Sequence, residues 1–329
     1  MTKLSKAVVT GGAGFIGSHI VDELVRRGVE TIVLDDLSTG SRDNLRQHSG
    51  SKSLRVEVGD IKNIARLLHA DRSIDVVFHE AAIASVPLSV EAPMRVHETN
   101  VTSTLEVLNF CVTAKVKRLV FASSAAVYGA IDGKLATEEM QCRPSSPYGA
   151  SKLAVEDYLS SYQSSYALET VALRYFNVYG PRQAFNNGYT GVISVFANQL
   201  LQGMTPTIFG DGMQTRDFVN VRDIVRANLL AAESSRSPGG RFNVATGRSV
   251  SILELLESLK EVTGHPDIEP KFLEPRVGDV RSGSASISKI RSDLGFEPSV
   301  ALHEGLSDLV ASIRSPSGGV ALGQEQRNE

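Results

Sequence analysis

The stretch VVTGGAGFIGSH, residues 8–19, constrains this chain more than any other. It passes from a β-branched pair straight into a helix-patterned segment, with Gly11, Gly14 and Gly17 spaced three apart. Three such glycines permit a tight turn, close approach of backbone to a phosphate, and packing of helix on strand. The free N–H groups that open the helix then face an anion, so the pattern reads as a seat for a pyrophosphate. The next apolar strand ends IVLDDLSTG, which places Asp35 where an acid would accept from a ribose diol. Asp35 and Asp36 would repel a 2′-phosphate, and no arginine immediately follows the strand to receive one. The expected dinucleotide is therefore NAD.

The rest of the first half repeats this strand–helix alternation. Strands are expected at residues 7–10, 31–35, 54–58, 76–79 and 118–122. A helix is expected over 15–27, with Ile16, Ile20, Leu24 and Val25 on one side. Runs such as VVFH and RLVFA are apolar throughout, as suits a sheet buried on both faces. The pattern predicts an α/β chain with a doubly wound parallel-sheet Rossmann domain. From Gly180 the texture changes to the turn-rich GPRQAFNNGYTG. Helices at 192–202, 252–263 and 302–313, with a strand at 207–209, predict a smaller mixed α/β substrate-binding lobe, and a helix at 222–232 returns to the earlier pattern. Residues 1–178 plus about 215–246 would form the NAD-binding domain, and 179–214 plus 247–315 the lobe. The polar tail 316–329 is expected to be disordered, and no internal repeat is present.

Composition narrows the partners. Net charge is -3 without a dense Lys/Arg tract, which argues against nucleic acid. The two cysteines, Cys111 and Cys142, lie far apart with no metal-ligand spacing, so neither a metal nor a disulfide is expected. No apolar run approaches the ~20 residues that span a bilayer, and the stretch before the first strand lacks the longer apolar core and cleavage site expected of a secretory leader. A cytoplasmic protein is expected. His79 ends an apolar strand and reads as a satisfied buried imidazole.

The chemistry is suggested by PSSPYGASK, residues 144–152, which sets Tyr148 four residues before Lys152. On a helix the two share a face. An unperturbed tyrosine is a poor base at neutral pH, and a cation one turn away with a positive nicotinamide ring nearby would favour its phenolate. Upstream, FASSAAVYG ends a strand with Ser123 and Ser124, and a serine hydroxyl there could bridge the same sugar oxygen. Each motif also has a bland reading: an accidental YxxxK, and serines that only form a turn.

The glycine loop, Asp35, SSAAVYG and YGASK, in this order, resemble the extended short-chain dehydrogenase/reductase family. More narrowly, RYFNVYGPRQ, GDGMQTRDFVNVRD and PRVGDVRSGSA are similar to later motifs of the UDP-hexose 4-epimerases. The resemblance runs from about residue 6 to 313. It implies a UDP-sugar substrate, NAD retained through turnover, and reversible oxidation through a 4-keto sugar. Ser124, Tyr148 and Lys152 would be catalytic. Gly11, Gly14, Phe15, Ile16, Gly17, Asp35, Asp36, Ser38, Thr39, Gly40, Asp60, Ile61, Ala81, Ala82, Asn100, Ser123, Tyr148, Lys152 and Phe176 would line the cofactor. Asp60 reads equally as a helix N-cap, Asn100 as an internal hydrogen-bonding residue, and Phe176 as a core aromatic. On the substrate side, Asn177, Arg216 and Arg276 would meet the diphosphate, and Asp279 the uridine ribose. Val192, Thr207 and Phe209 would line the uracil end, and Ser85, Ser124, Tyr148 and Gly283 the sugar. Surface ion pairing is the bland reading of the two arginines. A homodimer through helices near 96–112 and 151–164 is implied by the same resemblance.

Differences from related enzymes narrow the reaction. Dehydratases of this family carry an Asp-Glu pair where Ala125 and Ala126 stand, and decarboxylating relatives keep a Glu at the second position. Alanine does no acid–base work, so both activities are disfavoured. Ala84 replaces a lysine of some hexose epimerases, and Gly283 stands where glucose-restricted ones carry a bulky tyrosine. The first resembles the subgroup that takes N-acetylhexosamines, the second frees room for an acetamido group, and UDP-glucuronate would also fit. A redox sensor on the same fold would be expected to lack the Ser–Tyr–Lys set, and a net dehydrogenase would exchange free cofactor.

Overall fold

The computed structural model describes residues 3–69, 71–131, 133–184, 191–275, 281 and 283–315. Seven strands form one parallel sheet: β1 (Lys6–Thr10), β2 (Glu30–Asp35), β3 (Leu54–Val58), β4 (Val76–His79), β5 (Arg118–Ser124), β6 (Glu169–Tyr175) and β7 (Arg241–Val244). Their spatial order is β3-β2-β1-β4-β5-β6-β7. The order reverses between β1 and β4, and the carboxyl ends of those strands open the crevice where such folds bind ligands.

Seven longer helices accompany them: α1 (Phe15–Arg26), α2 (Ser103–Thr113), α3 (Pro147–Tyr166), α4 (Val192–Leu201), α5 (Val221–Glu233), α6 (Ile252–Thr263) and α7 (Leu302–Arg314). Successive strand residues point to opposite faces, so each strand feeds two cores. Val9 joins Ile20 and Leu24 of α1 and Ile224 of α5 on one face. Val8 joins Leu108 of α2 and Val155 and Leu159 of α3 on the other. A third cluster holds Phe196 of α4, Leu255 and Leu259 of α6, and Leu306 and Leu309 of α7. Among the described residues, no helix is long and apolar enough to cross a membrane.

Several local expectations change. The helix expected over 96–112 is broken into Pro93–His97, a π-helical turn Glu98–Thr102, and α2. α3 begins at Pro147, before the expected run, because the Ser146 hydroxyl accepts from the Gly149 N–H at 3.1 Å and Pro147 occupies the first turn. Tyr148 is thereby helical from the outset. Strands β6 and β7 complete the sheet beyond those the alternation predicted. The tail 316–329 lies outside the described residues.

Candidate active site

The glycine loop leaves β1 with Gly11 at φ 67° and opens α1 at Gly14, which caps the helix without any side-chain hydrogen bond. The N–H groups of Phe15, Ile16 and Gly17 therefore start the helix with no capping side chain over them. The loop is closely packed. A Cβ at Gly11 would lie 2.7 Å from the Ala81 nitrogen, and one at Gly17 would lie 2.2 Å from the Gly11 carbonyl oxygen. Asp35, at the end of β2, is buried; its Oδ2 accepts from the Ala13 N–H at 2.9 Å and its Oδ1 from the Leu37 N–H at 2.8 Å. Burial pushes its carboxyl up, and the two backbone donors pull it back only in part. A carboxylate has about four acceptor sites, so two remain for a diol. A Cβ at Gly40 would meet Asp35 Oδ1 at 3.0 Å, so the loop after β2 also runs close over this acid. Asp36 turns the chain by accepting from the Ser38 N–H and hydroxyl, and Thr39 is exposed beside them. An uncapped helix start, a cradle with no room for side chains, and an acid with spare lone pairs fit a dinucleotide. Gly17→Ala should displace the loop, and the nucleotide released on denaturing the purified protein should fall by about tenfold or more.

Other expected cofactor residues are held by their own chain. Asp60 caps a short helix, accepting from the Lys62 N–H at 2.9 Å, and Ile61 is buried behind it. Asn100, in the π-helical turn, is buried and bonded three ways. It accepts from the Ile83 N–H at 2.8 Å and donates to the Ile83 carbonyl at 3.1 Å and the Ser151 hydroxyl at 3.2 Å. It thus ties the loop carrying Ala81 and Ala82 to α3. Phe176 is buried, its ring centroid 6.4 Å from that of Tyr128. Ser123 points away from Ser124, as neighbours on a strand must, and donates to Glu156 Oε1 at 2.5 Å. His79 is buried between the hydroxyls of Thr10 (2.7 Å) and Thr104 (2.8 Å); burial and the nearby Lys152 push it down to about 3.

Ser124, Tyr148 and Lys152 come together at the carboxyl end of β5. Gly149 makes this approach close, since a Cβ there would lie 2.5 Å from the Ala126 carbonyl oxygen. Ser124 Oγ accepts from the Ala126 N–H at 3.1 Å, and its side chain hydrogen-bonds the Tyr148 phenol. Lys152 is 3% exposed. Its Nζ donates to the Ala122 carbonyl at 2.7 Å and lies 4.7 Å from the Phe121 ring centroid and 5.9 Å from that of Tyr148. Burial lowers the Lys152 ammonium to about 8, opposed by the charge of Glu80. The phenol departs from expectation. Burial raises it, the Ser124 hydrogen bond lowers it, and the Glu80 charge raises it further. Lys152 is turned toward the Ala122 carbonyl, and the protein alone holds Tyr148 as a phenol.

One turn past Lys152, Glu156 accepts from Arg174 Nε at 2.9 Å and Nη2 at 2.6 Å, with both side chains buried. Arg174 Nη1 donates on to the Tyr128 hydroxyl at 2.9 Å. This network pins α3 to β5 and β6 directly behind Ser124. The sequence reading missed Glu156, although its place four residues after Lys152 marks the same helix face. It also missed Glu80, the acid that ends the apolar run VVFHE.

On the substrate side, the short parallel pair Asn177–Tyr179 and Phe218–Asn220 exposes Asn177, whose Nδ2 donates to the Asp217 carbonyl at 3.1 Å. Arg216 is half-buried, with Nη1 donating to the Thr215 carbonyl at 2.8 Å. A Cβ at Gly283 would stand 3.7 Å from Arg216 Cδ. Ser85 caps a short helix by accepting from the Leu88 N–H at 3.1 Å. Val192 opens α4, and Thr207 and Phe209 lie on a strand paired with Lys271–Leu273. Arg276 and Asp279 lie outside the described residues.

Sheet order, glycine loop and Ser–Tyr–Lys cluster define an extended short-chain dehydrogenase/reductase. The chain belongs to the NAD dependent epimerase/dehydratase family, which it matches over residues 7–245. It is 40% identical over 315 residues to the UDP-glucose 4-epimerase of Mycolicibacterium smegmatis, covering 95% of this chain and 99% of that one. Among solved structures, it is 40% identical to a UDP-N-acetylglucosamine 4-epimerase from Methanobrevibacter ruminantium in complex with UDP-N-acetylmuramic acid. That match has a TM-score of 0.89 and covers 94% of this chain and 98% of the other. The Thermus thermophilus UDP-glucose 4-epimerase complex with NAD is 39% identical, with a TM-score of 0.84 and coverage of 94% and 99%.

Proposed function

We propose that this protein interconverts UDP-hexoses by reversible 4-epimerisation, with NAD held through each turnover. The observation that carries the reading is Ser124 and Tyr148 converging beside buried Lys152, with Ala125 and Ala126 in the next two positions. Bound NAD supplies the acceptor and donor of the C4 hydride. As its phenolate, favoured by the positive charge of bound NAD, the Tyr148 oxygen takes the proton of the 4-hydroxyl, with Ser124 Oγ sharing that oxygen, and gives it back after the sugar has turned over. Lys152 holds a positive charge beside the pair and would donate to the nicotinamide ribose of bound NAD. Ala125 and Ala126 offer no acid to expel a neighbouring hydroxyl, so the 4-keto sugar is only reduced again. The glycine loop, Asp35 and Gly40 hold the dinucleotide. Arg216 and Asn177 grip the diphosphate while the sugar rotates.

The third apolar cluster, around α4, α6 and α7, is the nucleotide-sugar lobe in this reading. α2 and α3, where Tyr158 and Tyr166 are exposed, pair with a second copy in a homodimer. Gly283 beside Arg216, and Ala84, favour acceptance of N-acetylhexosamines as well as hexoses. Initial rates on UDP-glucose, UDP-N-acetylglucosamine and UDP-glucuronate test the substrate class. Turnover of none of them, with NAD supplied, overturns the proposal. Gly283→Tyr should lower kcat/KM for UDP-N-acetylglucosamine about tenfold or more relative to UDP-glucose, because the new ring fills the space beside Arg216. Equal losses for both sugars would remove Gly283 from specificity.

A further inference from the structure

Glu80 follows β4 at the switch point of the sheet, and the proton transfer described above does not use it. Its backbone N–H donates to the Thr10 carbonyl at 3.2 Å, which fixes the residue at the strand end. Its Oε1 accepts from the Tyr175 hydroxyl at 2.8 Å. That hydroxyl accepts in turn from Asn228 Nδ2 at 2.7 Å, and Asn228 Nδ2 also donates to the Ile224 carbonyl at 2.9 Å. A carboxyl is thus held by a chain crossing from β4 through β6 to α5. The β4–β5 register ends with His79 beside Phe121, so Glu80 follows next to Ala122, whose carbonyl accepts from Lys152 Nζ at 2.7 Å. We propose that Glu80 is a positioning residue for the Tyr148–Lys152 pair, its fixed carboxylate acting as the counter-charge of the Lys152 ammonium and so setting the pH range in which the pair works.

Three titratable groups face it: Lys152 and Tyr148 on α3, and Tyr175 on β6. Burial raises Glu80 to about 7, with the Tyr175 hydrogen bond and the Lys152 charge opposing. Its negative charge raises Lys152 and also raises Tyr148. Both signs are needed to read the test. With the charge removed, Lys152 loses its proton at lower pH, because its ammonium is no longer stabilised. Tyr148 also ionises at lower pH, because its phenolate is no longer repelled. The two limbs of the pH profile should move in the same direction.

The inference rests on the epimerase reading, so the test has one arm that does not need turnover. Glu80→Gln keeps an oxygen to accept from Tyr175 and removes the charge. Its pH profile of kcat/KM should shift to lower pH on both limbs by about one unit relative to the parent protein. In parallel, the Tyr148 phenolate band, isolated by subtracting the Tyr148→Phe spectrum at each pH, should titrate lower in the Glu80→Gln background. If the parent protein turns over no UDP-sugar, the epimerase reading fails and the phenolate titration alone decides this inference. If the parent is active, limbs that stay in place while kcat falls, with an unmoved phenolate titration, overturn it. If Glu80→Gln does not fold, Tyr175→Phe decides. Losing the hydroxyl keeps Glu80 protonated to higher pH, so a smaller shift in the same direction supports the inference and no shift overturns it.

Discussion

Tyr148→Phe should lower kcat for UDP-hexose epimerisation by about 10³-fold while leaving the fold and the bound nucleotide in place. The substitution removes one oxygen and keeps the ring, which is half-buried in the first turn of α3. Ser124 is left bonded to the Ala126 N–H, and Lys152 to the Ala122 carbonyl, so neither is released to replace the phenol. Neither is a substitute on chemical grounds. The serine hydroxyl is a weaker acid, and the ammonium has no lone pair while charged. Nucleotide content measured after denaturation should match the parent protein. A loss below about tenfold in kcat would show that another group takes the proton, and the Tyr148 assignment would fall.

Glu156→Ala should destabilise the fold by about 3–5 kcal/mol, because it leaves the Arg174 guanidinium buried without its carboxylate. The pair is close to fully enclosed, at 2% and 0% side-chain exposure, and Arg174 is joined to it through two nitrogens. The same change should free the Ser123 hydroxyl and loosen β5 from α3 directly behind Ser124 and Tyr148. Thermal unfolding should shift down by several degrees, and activity should fall even at temperatures where the variant is folded. The double variant Glu156→Leu with Arg174→Met should recover most of the lost stability, since it removes both buried charges together. A single variant as stable as the parent would mean that the pair is not the buried lock the structure describes.

The parts of this molecule that were legible in the sequence are those with a local cause. The glycine loop, the acid after β2 and the first five strands are each written in a few contiguous residues, and they stand where their patterns predict. The Tyr148–Lys152 face follows from helical spacing alone. What escaped depends on contacts between distant segments. The helix expected over 96–112 instead opens into a π-turn where Asn100 is bonded to Ile83 and Ser151. Ser123 and Ser124 look equivalent in sequence, and the alternation of the strand sends one to Glu156 and the other to Tyr148. The expected lowering of Tyr148 rested on Lys152 and a nicotinamide ring. In the protein alone, burial and the charge of Glu80 raise it instead. Strands β6 and β7 were missed because ETVALRY and RFNV carry charged ends, Arg174 within β6 being neutralised only by Glu156 on α3.

The most direct test of the central claim follows the hydrogen at C4. Purified protein, with no cofactor added, is given UDP-glucose carrying deuterium at C4, and the UDP-galactose formed is analysed by NMR. Reversible oxidation with a retained cofactor predicts UDP-galactose with the deuterium still at C4, none in the solvent, and none in free nucleotide. Deuterium lost to water, or recovered in free nicotinamide nucleotide, would contradict it.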